Sequence, residues 1–221
     1  GVSYTLLLAV ITVFFGSIVG LIIYFARGSK FKPLSWLAVT FVEVIRGTPM
    51  LLQLYLFYFA LPMLVPILNK QQYACVAIAL VCNSAAYVSE IIRSGIQAVD
   101  IGQTEAARSL GLSQRLTMTE IVLPQAVKNI LPALGNEFIM VVKDTSLAST
   151  FFIGDLMTQC LLIKGATYLT MEPLIMVAII YFVLTFVLTK LLGVFERRLR
   201  RGERVYRPGA PAGFLRGAPD G

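Results

Sequence analysis

The sequence contains no histidine, and only 14% of its 221 residues are charged. Without histidine it lacks the commonest metal ligand and the commonest general base. Its three cysteines, Cys75, Cys82 and Cys160, have no metal-binding spacing and are expected to be small packing residues. It also has no GxxxxGK[ST] loop for ATP phosphates and no HExxH or GxSxG motif. These absences predict that the chain is not an enzyme and holds no metal or cofactor of its own.

Apolar residues are abundant instead, at 57% of the chain. Average soluble domains carry about a quarter charged residues, so this composition predicts an integral membrane protein. The formal net charge of +7 raises the alternative of nucleic-acid binding. However, 16 of the 19 basic residues, all but Lys70, Lys143 and Lys164, lie in or beside the first turn, the 93–123 loop and the tail. That distribution follows the positive-inside rule and forms no basic face interleaved with aromatic residues.

The hydrophobic runs predict an all-α membrane protein with a single domain over 1–204. The five predicted transmembrane helices are at about 2–26, 49–68, 73–92, 124–146 and 173–192. Five spans put all the basic-rich parts on the cytoplasmic side, with the N-terminus outside and the C-terminus inside. We therefore expect 34–46 to be an interfacial helix and 147–170 to be a re-entrant or interfacial segment on the outside. The Gly- and Pro-rich residues from Val205 onward predict a disordered tail, compatible with a cloning remnant.

A polar stretch at 102–124 lies between two of these apolar runs. Its first half consists of good helix formers, with Thr104 as a candidate N-cap and Gly111 in position to end the helix in a left-handed turn. A second short helix over 113–123 is expected to stop at Pro124. A compact, rigid protrusion between two spans favours a docking surface over a solvated connection.

The residues Glu105-Ala106-Ala107, then Gly111, then Ile121 through Pro124 resemble the EAA motif of ABC importer permeases. In that family this loop is the coupling helix, which sits in a groove of the cytoplasmic ATPase. The resemblance implies an ATPase-coupling role for seven residues: Gly102, Glu105, Ala106, Ala107, Gly111, Leu123 and Pro124.

Three further sequence segments resemble the polar amino-acid branch of that family, which includes histidine, glutamine, arginine and glutamate permeases. They are EVIRGTP (43–49), NSAAYVSEIIRSGIQAVDIGQ (83–103) and NEFIMVVKDTSLAS (136–149). The resemblance extends over about 4–203, nearly the whole chain. It implies the type I ABC importer transmembrane-domain fold in a bacterial inner membrane. It also implies a cytoplasmic ATPase dimer that binds ATP and Mg, a second permease chain and an extracytoplasmic amino-acid-binding protein.

Ionisable groups inside a bilayer cost about 2.5–3.5 kcal/mol on insertion scales, so they need a partner, a cavity or a function. In the fourth predicted span Glu137 and Asp144 share one helix face, and Asn136 and Lys143 share the neighbouring stripe. Together these polar side chains would form a wall of the pathway that matches both the ammonium and the carboxylate of an amino acid. The alternative is a polar network that only fastens helices together. The predicted substrate pathway comprises Asn83, Ser84, Tyr87, Asn136, Glu137, Lys143, Asp144, Thr145 and Ser146.

Two pairs of opposite charge have the i, i+3 spacing that allows an ion pair on one helix. Glu43 and Arg46 form the first predicted pair, and Glu90 and Arg93 form the second. For the first pair, a snorkelling role at the membrane surface is favoured over a direct role in coupling.

These patterns predict the permease subunit of an ATP-driven importer of polar amino acids that works by alternating access. The alternative is an ion-gradient-driven secondary transporter using Glu137 or Asp144, although no convincing inverted repeat supports it. The transported amino acid stays open, because the two carboxylates favour a cationic ligand and Lys143 favours an acidic one. The choice between identical and homologous permease chains also stays open.

Overall fold

The computed structural model describes residues 1–199, and these residues are helical with no β-strand among them. The tail predicted from Val205 onward lies outside the described residues. In chain order the helices are α1 (Val2–Arg27), α2 (Lys32–Gly47), α3 (Met50–Leu64), α4 (Gln72–Gln97), α5 (Ile101–Ser109), α6 (Gln114–Leu116), α7 (Leu123–Asp144), α8 (Leu156–Thr167) and α9 (Met171–Leu199). Short 3-10 turns at Pro66–Leu68 and Thr145–Phe151 and a π-helical segment at Thr117–Val122 join some of them.

Three described helices are long and apolar enough to cross a membrane: Val2–Arg27, Tyr73–Gln97 and Met171–Leu199. Two bent pairs also qualify when each pair is taken together. The pair α2 and α3 is bent by 114°, and the stretch from Gln114 to Phe151 is bent by 42° against α8. Residues 1–199 therefore carry three to five candidate spans. With 12 residues, α8 is too short to cross a bilayer alone, since a perpendicular span needs about 20.

Several predicted helix ends differ from the observed ones. The second predicted span ends early, at Leu64, because Val65 precedes Pro66 and a residue before proline avoids the α conformation. The third continues to Gln97 and the last continues to Leu199, because polar residues in the final turns still complete helical hydrogen bonds. Charge and polarity therefore mark the edge of the apolar run and not the end of the helix.

The prediction that a short helix stops at Pro124 is wrong. The chain instead passes from the π-helical segment Thr117–Val122 directly into α7, with Pro124 in its first turn. Proline lacks an N–H and clashes with the carbonyl four residues earlier in a regular α-helix. The wider π-helical turns come immediately before this position, so the chain remains helical through the proline.

Helix α1 packs closely along α4 through Gly16 and Gly20. A Cβ atom added at Gly16 would lie 2.9 Å from the Ser84 side chain, and one added at Gly20 would lie 2.8 Å from the Ala85 carbonyl oxygen. The GxxxG spacing thus permits a close approach of two helix backbones. This contact fixes the position of α4 against α1. Helix α4 carries several of the predicted pathway residues.

Candidate functional site

Helix α5 begins at Ile101 and is capped by Asp100, whose Oδ1 accepts a hydrogen bond of 2.7 Å from the backbone N–H of Gly102. The predicted cap at Thr104 is therefore wrong, since Thr104 lies inside the helix. Aspartate suits this position because its carboxylate accepts from a free N–H and its charge complements the helix dipole. The cap fixes where the helix starts after the chain leaves α4.

The end of α5 is closed at Gly111, whose φ of +85° confirms the predicted left-handed turn. The Gly111 N–H donates to the Arg108 carbonyl over 3.0 Å, and the Leu112 N–H donates to the Ala107 carbonyl over 3.2 Å. These two bonds constitute a Schellman motif, in which the last helical carbonyls find donors. Both ends of α5 are thus fixed by hydrogen bonds.

The predicted coupling residues divide into one buried residue and six exposed ones. Ala107 is buried and turned toward the rest of the chain. The exposed ones are Gly102, Glu105, Ala106, Gly111, Leu123 and Pro124. Since α5 also packs on the π-helical segment that leads into α7, this exposed surface is connected directly to a long interior helix.

A small polar cavity of about 70 Å³ lies where the α2–α3 elbow, α4 and α7 meet. Four of the nine predicted pathway residues line it: Asn83, Tyr87, Glu137 and Asp144. Thr48, Met50 and Met140 complete the lining. Glu137 is only 6% exposed, so its carboxylate faces the interior of the chain and not the lipid.

The two acidic groups of the cavity act on each other and on their neighbours. Asp144 and Glu137 interact as like charges, and Lys143 acts on Asp144 as an opposite charge. The Ser84 hydroxyl, buried beneath Gly16, faces the Glu137 carboxylate. Two carboxyl groups around one small cavity supply oxygen acceptors, which suit the ammonium or guanidinium group of a ligand.

The remaining predicted pathway residues do not line this cavity. Asn136 and Lys143 are exposed on the neighbouring stripe of α7. Thr145 is buried and donates its hydroxyl to the Val142 carbonyl over 2.8 Å, and Ser146 is half-buried. Of the two predicted polar stripes on α7, only the acidic one, with Glu137 and Asp144, lines the cavity.

Gln53 is a buried polar residue that the sequence analysis missed, and it is only 3% exposed. Its Nε2 donates to the Ile45 carbonyl (2.6 Å), the Thr48 hydroxyl (2.9 Å) and the Thr48 carbonyl (3.1 Å). Its Oε1 accepts from Asn83 Nδ2 over 2.9 Å. One side chain thus ties the α2–α3 elbow to α4 at the edge of the cavity. The sequence signal for this buried role was a glutamine inside an apolar run, four residues after Pro49.

Replacing Gln53 with leucine is expected to destabilise the elbow. The change keeps a similar side-chain size but removes the hydrogen bonds of Gln53 to the buried Ile45 and to the partly buried Thr48 and Asn83, at about 1–3 kcal/mol for each group left buried and unsatisfied. For a chain of this size, each kcal/mol lowers the unfolding midpoint by about 2–4 °C. Thermal unfolding in detergent measures the shift, with Gln103→Leu on the exposed face of α5 as control. Equal midpoints for the two variants would contradict a structural role for Gln53.

Glu90 is the centre of an ion cluster near the end of α4. It pairs with Arg93 on the same helix, so the second predicted ion pair is present. It also contacts Arg27 of α1 over 3.0 Å and Arg46 of α2 over 3.7 Å. The first predicted pair is not formed, because Arg46 turns away from Glu43 toward Glu90 and lies over the Tyr87 ring, 5.6 Å from its centroid. The partly buried Glu90 carboxylate can gather several guanidinium groups, whereas Glu43 is exposed to solvent.

These features, an exposed capped loop and a polar cavity between helices with three to five candidate spans in residues 1–199, define a multi-pass helical membrane protein. The chain belongs to the family described as "Binding-protein-dependent transport system inner membrane component", whose model matches residues 12–201. It is a multi-pass inner-membrane protein of that family, as the EAA-like motif predicted.

Individual relatives agree with this assignment along nearly their whole length. The chain is 42% identical over 203 residues to the arginine transport system permease protein ArtQ of Bacillus subtilis, covering 92% of each chain. It is 39% identical over 199 residues to the putative glutamine transport system permease protein GlnP of Rickettsia bellii, covering 90% of this chain and 91% of that one. A solved structure described as an amino acid ABC transporter with histidines superposes with a TM-score of 0.85 at 47% identity, covering 90% of this chain and 92% of that one.

Proposed function

We propose that the chain is the permease subunit of an ATP-driven importer of polar amino acids. Its family and the names of its relatives support this assignment, since those proteins are named for arginine, glutamine and amino-acid transport. Hydrolysis of ATP belongs to a separate cytoplasmic ATPase dimer, which binds ATP and Mg. The other proposed partners are a second permease chain, identical or homologous, and an extracytoplasmic amino-acid-binding protein.

The observation that carries the proposal is the exposed, hydrogen-bond-capped helix α5 and its packing on the π-helical segment that leads into α7. Hydrogen bonds at Asp100 and Gly111 close both ends of this short helix, so it can move as a rigid unit without unwinding. The chain beyond it passes through the π-helical segment into α7, which carries Glu137 and Asp144 at the cavity. A movement imposed on α5 by a partner would therefore move the helix that carries the cavity carboxylates.

The proposed topology has five spans, with the N-terminus outside and the C-terminus inside. The basic ends of α1 and α9 and the α5 loop then share the cytoplasmic side, as the positive-inside rule requires. Nucleotide-driven closure of the ATPase would draw the two α5 loops of a permease pair together. The cavity would open outward in that state and inward after hydrolysis, which is alternating access.

The proposed substrate pathway passes the cavity between the elbow, α4 and α7. Its carboxylates suit the amino group of an amino acid, while Asn83 and Tyr87 offer hydrogen bonds to the carboxylate end. At about 70 Å³ the cavity is smaller than ligand pockets of about 300–1,000 Å³. We infer that it widens during the transport cycle, in which the second permease chain could also supply part of the wall.

Reconstitution with the partner ATPase and binding protein tests this proposal. Purified complexes in vesicles are assayed for ATP-dependent uptake across a panel of amino acids. We expect uptake to need internal ATP and to persist when an uncoupler collapses the ion gradients. Uptake that stops with the uncoupler while ATP is held constant would instead support the ion-gradient-driven transporter.

A further inference from the structure

An open groove of about 420 Å³ lies outside the transport site, at the junction of α1, α2 and α4. Its lining combines apolar side chains with two guanidinium groups: Tyr24, Phe25, Arg27, Gly28, Val39 and Arg93. Arg27 is the last residue of α1, which is a candidate span, so the groove lies at a membrane–water boundary. Its position is therefore suited to a ligand that is partly apolar and partly charged.

Positive charge exceeds negative charge at this groove. The two guanidinium groups that line the groove, those of Arg27 and Arg93, share the single Glu90 carboxylate, which leaves one positive charge in excess. Arg27 uses only its Nη1, on Glu90 and on Ser89, and its other N–H groups have no hydrogen-bond acceptor within residues 1–199. Guanidinium groups with free donors are well suited to phosphate oxygens.

Large apolar side chains beside the groove are exposed. Phe25 is 66% exposed and lies in the lining itself, while Phe31 (66%) and Trp36 (74%) follow in the next turn and in α2. Aromatic side chains concentrate at the interfacial level of a bilayer. An acyl chain could therefore run from the groove over Phe25 and Val39 into the hydrocarbon layer.

We propose that this groove binds one anionic phospholipid, with its phosphate at Arg27 and Arg93 and its acyl chain along Phe25 and Val39. The excess of positive charge favours a lipid with net negative charge. A zwitterionic headgroup would bring an ammonium toward these arginines, and Glu90, the acid that bridges them, is already occupied. The proposal needs only a membrane-embedded chain and is independent of the transported substrate.

Native mass spectrometry of the full chain in neutral detergent tests the proposal. The chain is titrated with phosphatidylglycerol or with phosphatidylcholine of the same acyl composition. We expect one phosphatidylglycerol to be retained in preference to phosphatidylcholine. Arg27→Gln should weaken that binding roughly fivefold, as expected for one basic residue near a lipid surface, and Arg27→Lys should retain most of it. Lys164→Gln, an equal charge change on exposed α8, is the matched control and should bind like the original chain.

A second variant avoids the ion cluster altogether. Val39→Trp fills the groove without removing any partner of Glu90, so it should lose the bound lipid while its lipid-free unfolding midpoint stays near that of the original chain. Equal retention of phosphatidylglycerol by the original chain, Arg27→Gln and Val39→Trp would overturn the proposal. Displacement of the lipid by millimolar inorganic phosphate would also overturn it, because the site would then recognise a free anion.

Discussion

Gly111→Val is expected to abolish ATP-driven uptake while the chain still inserts into the membrane. The φ of +85° at this position is open to glycine, but a β-branched residue there is strained by at least about 1–2 kcal/mol. The Schellman hydrogen bonds to Arg108 and Ala107 would be lost or weakened, and the end of α5 would no longer be fixed. Uptake and substrate-stimulated ATPase activity of the reconstituted complex measure the loss, which we expect to exceed tenfold.

Gly111→Asn is the matched control, because asparagine tolerates the left-handed conformation and, within residues 1–199, no atom other than those of its chain neighbours lies within 4 Å of the Cβ position. It should retain most of the coupling. A second variant, Glu105→Lys, reverses an exposed charge that forms no ion pair within residues 1–199. It should uncouple transport without lowering stability, whereas Glu172→Lys at the start of α9 should not. Normal uptake in both Gly111→Val and Glu105→Lys would contradict the docking role of α5.

Glu137→Gln is expected to raise the KM for the transported amino acid at least tenfold, which corresponds to about 1.4 kcal/mol. The substitution preserves the shape of a side chain that is 6% exposed but replaces the carboxyl group facing the cavity with a neutral amide. Asp144→Asn should also weaken the affinity for the transported amino acid or change the selectivity among amino acids. Uptake kinetics across the amino-acid panel measure both changes, with Glu172→Gln as a control for loss of an exposed carboxylate.

The unfolding midpoint separates this role from simple fastening of helices. If the carboxylates bind substrate, the variants should change KM while their unfolding midpoint stays close to that of the original chain. Unaltered transport in both variants would leave only the fastening role. An unfolding midpoint that falls in proportion to the loss of uptake would also indicate that these side chains only fasten helices together.

The coupling loop could be read from the sequence because its signals are local. Helix formers from Glu105 to Ala107 and the left-handed glycine at Gly111 act within one or two turns of the chain. The cap was predicted wrongly at Thr104, because Asp100 caps the helix. The position of the cap depends on where α4 ends, and that helix runs beyond its apolar stretch.

Contacts between distant residues could not be read in the same way. Arg46 has Glu43 at a favourable spacing on its own helix, yet it turns to Glu90, 44 positions away, where two other arginines also converge. Gln53 looks like an isolated polar residue until Asn83, 30 positions later, is placed beside it. Both outcomes depend on how α2 and α3 bend against α4.

The sequence by itself determined the membrane-embedded helical class, the family, and the position of the exposed loop, because hydrophobic run length and turn chemistry depend on neighbouring residues. Only the tertiary structure decided which polar side chains share a cavity, which carboxylate gathers the arginines, and how the chain continues through Pro124. The physical reason is that buried polar and charged groups must find partners inside the folded chain, and the nearest partner in space is set by helix packing.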